Sequence, residues 1–521
     1  MGFLTHDSSL CVVLFAGCLV ILQTVFHRGN VQDFYWYWAL ALSGLSTVLC
    51  SVGLVDRKRR ILFIVSVILA VIWILCTGAL TLKAPFTYTG NGYFACWTAT
   101  LASFVLAVTS FSDVVVGRAS DVGELLAVTF LSSMVVFLQT IWLCSNQEGT
   151  ISRRGVLPIL IISALSSLIA FMAVLGLWLG KRTDIVNMLS RFLTILWTVG
   201  TFMATFDQPY LRTGNGYFGC IGAYVASSKL FEVQYAILHA PGTDGSVMSE
   251  FTAIIVASSA VLFAAAYRGR IDEVEEVFAV SLSLISLMFA FMGLLIFISG
   301  HRSILVSRSL TVSAIILFAL WTVGVGMLTF KDPFFASSNL YFGAWAALAF
   351  SWMLCTRLIR DYCTCRAFVY GTEFNVMSIA SATLLTQLIV DTHLERIARD
   401  WRWTWAFIAS PITLLLCVVV VLLQAKVLRA MKVIAPVMLI LWLANVGILT
   451  FTAPYVTLGN AYLACWCGFL AAVSTMTTTF VYTSSSESRL PEETVITHET
   501  VTVTVDHGGV VGKQHWSVDH E

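Results

Sequence analysis

Four asparagines stand at equivalent places in this chain of 521 residues, and the chemistry of their amides poses two alternatives. Each of Asn91, Asn215, Asn339 and Asn460 opens an apolar run directly after a loop. An asparagine placed there is a good helix N-cap, because its side-chain oxygen accepts one of the backbone N–H groups that the first turn leaves unpaired. The alternative gathers four amides around a shared opening as polar ligands for water or solute, and it requires the chain to form a ring of four units. The local sequence favours the capping role.

Ionisable residues inside apolar runs are the second test for chemistry, because a charge within a bilayer is costly and marks an ion or proton path. Few occur here. Glu124, Glu250 and Glu373 each begin an apolar run, where a helix dipole and neighbouring water accommodate a carboxylate. Lys229 and Glu232 lie deeper, and their i,i+3 spacing permits a pair on one helix face. There is no basic row of the voltage-sensor kind and no chain of carboxylates. A Gly-rich phosphate loop, an HExxH pattern and a nucleophile with a base at useful spacing are also missing, so the sequence predicts no catalytic residue, no cofactor and no metal site. The cysteines sit mostly within apolar runs, as Cys50, Cys76 and Cys417 do, where Cys serves as a small hydrophobe.

What must position these residues is a set of membrane helices. Hydrophobic residues make up 58% of the chain and charged residues 11%, against about 25% charged in soluble domains. A bilayer core of about 30 Å takes roughly 20 apolar helical residues to cross, because backbone polar groups there must be satisfied within the helix. Many runs reach that length, and 61–82 holds no charge at all. The formal net charge of +1, with no clustered basic face, excludes a nucleic-acid partner and leaves the lipid bilayer as the first one.

The runs repeat. Trp73, Trp197, Trp321 and Trp442 stand 124, 124 and 121 residues apart. At constant offsets behind them come Thr81, Thr205, Thr329 and Thr450, then Pro85, Pro209, Pro333 and Pro454, then the four asparagines, and finally Tyr93, Tyr217, Tyr341 and Tyr462. The local strings TGNGYFACW, TGNGYFGCI, SSNLYFGAW and LGNAYLACW share this register. One period holds four spans: 9–26, 34–55, 61–82 and 91–111 in the first copy, then 124–144, 156–179, 185–206 and 215–237 in the second. The expected architecture is all-α and polytopic, with about 16 transmembrane helices in four tandem four-helix repeats of parallel orientation. The repeats are placed at 1–112, 113–238, 239–361 and 362–482, followed by a polar, disordered tail at 483–521.

Of the Lys and Arg residues, about 19 fall on the side that holds the termini and the second-to-third-helix loops, and about 11 on the other. Both termini are therefore predicted cytoplasmic, with the Pro and Asn loops outside or lumenal. Each Pro removes an N–H and ends the third helix of its unit. Each Trp lies near mid-bilayer, too deep for an interfacial belt, and is expected to face protein, where its indole N–H finds an acceptor. A stripe of small residues runs along every fourth helix: Ala95, Ala99 and Ser103, then Gly219, Ala223 and Ser227, Gly343, Ala347 and Ser351, and Ala464, Gly468 and Ala472. Such stripes let helices approach closely in lipid, within the chain or against other membrane proteins.

With four spans, cytoplasmic ends and aromatic-rich segments such as ALWTVG and YFGAWAALAFSW, the unit resembles tetraspan proteins of the MARVEL type. That resemblance implies membrane organisation or vesicle and junction traffic. The residues thus point to a non-enzymatic membrane organiser or scaffold, with a channel or transporter built around a pseudo-tetrameric pathway as the rival.

Overall fold

The computed structural model describes residues 6–487, apart from 27–33, 56–57, 84, 116–120, 147–152, 179–182, 240–244, 268–273, 300–303, 331–336, 364–369, 395, 398, 424–429 and 453. Among the described residues there is no strand, and sixteen α-helices follow one another. The first quartet is α1 (His6–Phe26), α2 (Phe34–Val55), α3 (Arg59–Leu82) and α4 (Asn91–Val115). The second is α5 (Asp121–Asn146), α6 (Arg153–Trp178), α7 (Thr183–Phe202), which continues into a π-helical turn at Met203–Asp207, and α8 (Asn215–His239). The third is α9 (Gly245–Tyr267), α10 (Val274–Ile298), α11 (Ile304–Thr329) and α12 (Asn339–Cys363), and the fourth is α13 (Gly371–His393), α14 (Trp401–Leu423), α15 (Met431–Phe451) and α16 (Asn460–Glu487).

Fifteen of these helices are long and apolar enough to cross a bilayer, and the chain is a polytopic all-α membrane protein. The exception is α8, whose C-terminal half carries Lys229 and Glu232. α16 runs on to Glu487, past the start of the segment expected to be a disordered tail; residues 488–521 of that segment lie outside the described residues.

Within each quartet the first helix packs on the second and fourth, and the third packs on the second and fourth, so the four close into a bundle. The recurring tryptophans fill the bundle centres: Trp73, Trp197, Trp321 and Trp442 are each 0% exposed. As expected of a buried indole, three of them donate to a hydroxyl on the second helix, at 2.8 Å to Ser46, 2.7 Å to Ser166 and 2.8 Å to Ser286. In quartets two and three that serine also bonds a serine of the first helix, Ser133 or Ser258, so a polar relay ties three helices together. Trp442 departs from the rule. Thr413 bonds Ser381 in the same way, but the indole of Trp442 has no acceptor.

The small-residue stripe is the packing face of the fourth helix, as its composition predicts. Ala99, Ala223, Ala347 and Ala472 are fully buried, as are Ser103, Ser227 and Ser351. A Cβ added at Gly219 would come within 2.8 Å of Val136 on α5, and one at Gly343 within 2.9 Å of Val261 on α9. These faces are therefore used inside each quartet.

The packing generates a test with its own control. Ala347→Leu forces extra methylenes into the α9–α12 contact and is expected to destabilise the protein by about 1–3 kcal/mol. Ala349→Leu, on an exposed position of the same helix, is expected to leave stability unchanged. Thermal unfolding of the detergent-purified protein, followed by tryptophan fluorescence, compares the two; equal melting temperatures for the pair would contradict the packing assignment.

Candidate functional site

The turn between the third and fourth helices delivers each asparagine. α3 ends at Leu82 shortly before Pro85, the π-helical end of α7 stops just before Pro209, and α15 ends at Phe451 before Pro454, so the missing proline N–H falls where the helix has already stopped. Pro333 lies outside the described residues. The residue after each described proline turns its N–H back to the last turn of the helix: Phe86 to the Leu80 carbonyl at 2.9 Å, Tyr210 to Ala204 at 2.8 Å, and Tyr455 to Leu449 at 2.9 Å. In the first two quartets the aromatic ring then lies flat against the start of the fourth helix, where a Cβ at Gly92 or Gly216 would overlap it. Burial pushes the phenols of Tyr210 and Tyr455 well above the ordinary tyrosine range, so both act as neutral groups at physiological pH.

The asparagine is the first residue of its helix, and its side chain does not cap that helix. It points instead into the neighbouring quartet. Asn91 Nδ2 donates to the Thr450 carbonyl at 2.9 Å and to Thr450 Oγ1 at 3.1 Å. Asn215 Nδ2 reaches Thr81 Oγ1 at 3.1 Å, Asn339 Nδ2 the Thr205 carbonyl at 2.9 Å, and Asn460 Nδ2 the Thr329 carbonyl at 2.8 Å. The expectation of N-capping is thereby corrected. The physical reason is that the first-turn N–H groups of a helix have other ways to be met, whereas the carbonyl and hydroxyl at the end of the preceding third helix are buried in a helix junction and need a protein donor. Threonine suits that place because its hydroxyl hydrogen goes back to its own helix, as from Thr81 to the Thr77 carbonyl at 2.7 Å, leaving oxygen lone pairs for the amide.

The other end of each amide is used as well. Asn215 Oδ1 accepts from Trp97 Nε1, Asn460 Oδ1 from Trp345 Nε1 and Asn91 Oδ1 from Trp466 Nε1, each at 3.0 Å. These tryptophans come from the same preceding quartet that supplies the threonine. At the junction of quartets two and three the position is Ile221, and Tyr217 takes over, its hydroxyl donating to Asn339 Oδ1 at 2.8 Å. Followed around the chain, the bonds run from quartet two to one, three to two, four to three and one to four. They close a cycle.

Just inside this girdle, Phe94, Phe218 and Phe342 meet edge to face, with ring centroids 5.7 Å apart for the first pair and 6.0 Å for the second. Phe94 also lies 6.1 Å from Tyr462 of quartet four, where Leu463 holds the position corresponding to the three phenylalanines. An apolar hub thus joins all four quartets where their fourth helices begin. The two alternatives set by the sequence meet here in a third arrangement: the asparagines do encircle one axis, but their amides are consumed by threonine, tryptophan and tyrosine.

The charged residues are placed as joints. Glu250 is buried and paired with Arg357 of α12, whose Nη2 and Nε lie 2.8 and 3.0 Å from Oε1, so a partner side chain as well as the helix start accommodates it. Glu373 accepts from Ser474 of α16 at 3.1 Å, and Glu124 is buried at the start of α5. Lys229 and Glu232 pair at 2.6 Å, as their spacing predicts, and both reach Ser249 of α9 at 3.3 Å, which fastens quartet two to quartet three. The tryptophans six residues after the asparagines escaped the sequence reading, although the strings FACW, FGAW and LACW carry them; one copy reads FGCI, and that gap hid the pattern.

Removing one amide should expose the coupling. Asn91→Ala leaves the Thr450 carbonyl and the Trp466 indole unpaired, and is expected to cost about 1–3 kcal/mol. Trp466→Phe alone should cost less, and the double variant should fall short of the sum by about 1 kcal/mol, because both act on one bonded unit. Chemical unfolding of the four proteins in micelles measures the cycle, and additive effects would show that the girdle is not a unit. Compared with protein-family models, with curated proteins and with solved structures, the chain matches none.

Proposed function

We propose that this integral membrane protein is a non-enzymatic organiser or scaffold: a closed, non-conducting ring of helix quartets whose outer apolar faces hold other membrane proteins. One observation carries the reading. On the axis where a pore would need polar ligands, the amides are already engaged between quartets and the aromatic hub forms an apolar constriction, which disfavours passage of hydrated ions. The outer faces supply docking area, with Leu295, Ile195, Leu422 and Ile440 each at least 65% exposed. The resemblance to MARVEL-type tetraspan proteins agrees with such a role. In this reading both termini are cytoplasmic and the Pro and Asn loops face outside or the lumen.

Purified protein in liposomes is expected to pass potassium, chloride and small neutral solutes no faster than empty liposomes do. Flux that changes on substituting Phe218 would establish the pore reading instead. A photo-crosslinking residue at exposed position Leu295 is expected to yield discrete adducts with other membrane proteins in cells, while the same probe at buried Leu317 yields none. Adducts with lipid alone at position 295 would remove the scaffold assignment.

A further inference from the structure

Phe94, Phe218 and Phe342 meet at the hub, so the helix face that carries them is the face each fourth helix turns to the axis. On an α-helix that face continues at seven, ten, fourteen and seventeen residues beyond the asparagine. A packed axis would bury these positions. They are open instead. Ten residues beyond the asparagines, Val225 is 51% exposed, Leu470 57% and Leu101 38%, and Ala349 is exposed with them. Met353, at fourteen, is exposed as well. Among the described residues the fourth helices share no extended packing interface with one another. Below the hub they therefore diverge and leave a well on the axis, closed at the girdle and open toward the opposite membrane face.

The wall of this well changes character with depth. Near the hub it is apolar and uncharged, whereas at fourteen and seventeen residues Lys229, Glu232, Thr356 and Thr477 form a polar rim. From Phe218 to Lys229 is eleven residues, about 16 Å at 1.5 Å per residue. That is half of a hydrocarbon core of about 30 Å, the depth of one leaflet. Open apolar surface on this scale marks a place where an apolar partner binds. A second observation points the same way. A side pocket of about 140 Å3 lies between α4, α5 and α8, lined by Leu101, Phe218 and Gly222 of the axial face together with Val128 and Val135. Gly222 stands where the other quartets have Thr98, Ala346 and Cys467. An apolar cavity of about this size accepts a benzene ring, and so has room for the end of a hydrocarbon chain.

We propose that the axial well holds a membrane phospholipid, its acyl chains against Leu101, Val225 and Leu470 beneath the hub and its headgroup at the rim beside Lys229 and Glu232. Those two side chains carry one charge of each sign, which matches a zwitterionic headgroup. The lipid supplies the core that the ring lacks below the hub. The inference rests on the girdle that closes the ring, and not on capture of other proteins by the outer faces.

Full-length protein is reconstituted in nanodiscs of palmitoyl-oleoyl-phosphatidylcholine and cholesterol, transferred to detergent, washed and examined by native mass spectrometry. It is expected to keep phosphatidylcholine bound under conditions that strip lipid from the outer faces. Val225→Trp combined with Leu470→Trp, which fills the well, should lower the retained fraction by about tenfold or more. Ile195→Trp combined with Leu295→Trp, at exposed outer positions, should leave it unchanged. A phosphatidylcholine with a diazirine at the end of one acyl chain should label wild-type peptides that contain Val225 or Leu470, a readout that needs no variant to fold. Absence of retained phosphatidylcholine, retention of cholesterol in its place, equal retention in two double variants that melt as the wild type does, or labelling confined to the outer helices would each overturn the assignment.

Discussion

The arrangement depends on how an amide behaves between helices in lipid. The carbonyl and hydroxyl at the end of a third helix are buried in the junction, with Thr81, Thr205, Thr329 and Thr450 all at most 5% exposed, so a donor must come from the protein. A single asparagine supplies that donor and, through its oxygen, also takes an indole N–H that would otherwise be orphaned in the same junction. Because donor and acceptor groups come from one neighbour, each amide fixes both the distance and the rotation of two quartets. Four such junctions placed head to tail close only if the rotation sums to a full turn, and the bond from Asn91 of the first quartet to Thr450 of the last is the evidence that it does.

Much of the fold was legible because it follows from period and polarity. Runs of about 20 apolar residues mark the spans, a fixed offset marks the copies, and the small-residue stripe marks the face of α4, α8, α12 and α16 that packs inward. The role of the asparagines was misread for a physical reason. Local sequence reports what a residue can do for its own helix, and an asparagine at a helix start has a sufficient local use; its partners Thr450, Thr81, Thr205 and Thr329 stand in another copy, at a separation no local rule reaches. The recurrence of threonine ten residues before asparagine was visible, but its meaning required knowing that neighbouring copies, rather than the same copy, bring the two together.

The quartets differ where one partner can replace another. Ile221 removes an indole from the second-to-third junction, and Tyr217, one turn earlier on the same helix, restores the bond to Asn339. The exchange works because Asn339 Oδ1 needs a donor from that side and either an indole or a phenol supplies it. In quartet four the substitution of threonine for serine at 413 is less complete. Its hydroxyl still bonds Ser381 and donates to its own helix, and the indole of Trp442 is left buried without an acceptor. Packing alone holds that ring, which shows that shape at the bundle centre is the stricter requirement and the hydrogen bond the more dispensable one.

The two faces of the ring are built on different principles. At the asparagine face the joints repeat: threonine, asparagine and an aromatic donor, with phenylalanine or leucine closing the axis. Away from it the devices differ from junction to junction. Phe104 stacks on Phe130 between quartets one and two, Lys229 and Glu232 reach Ser249 between two and three, and Phe15 stacks on Phe469 between four and one. A joint that sets the geometry of closure must keep a bonded asparagine at every junction, whether an indole or a phenol serves its oxygen, since an error at one would open the cycle. Contacts farther along the helices only have to fill the space that closure leaves, and unrelated side chains do this equally well. The uniform girdle is therefore the element that determines assembly, and the varied contacts opposite it are the part of the molecule free to differ between quartets.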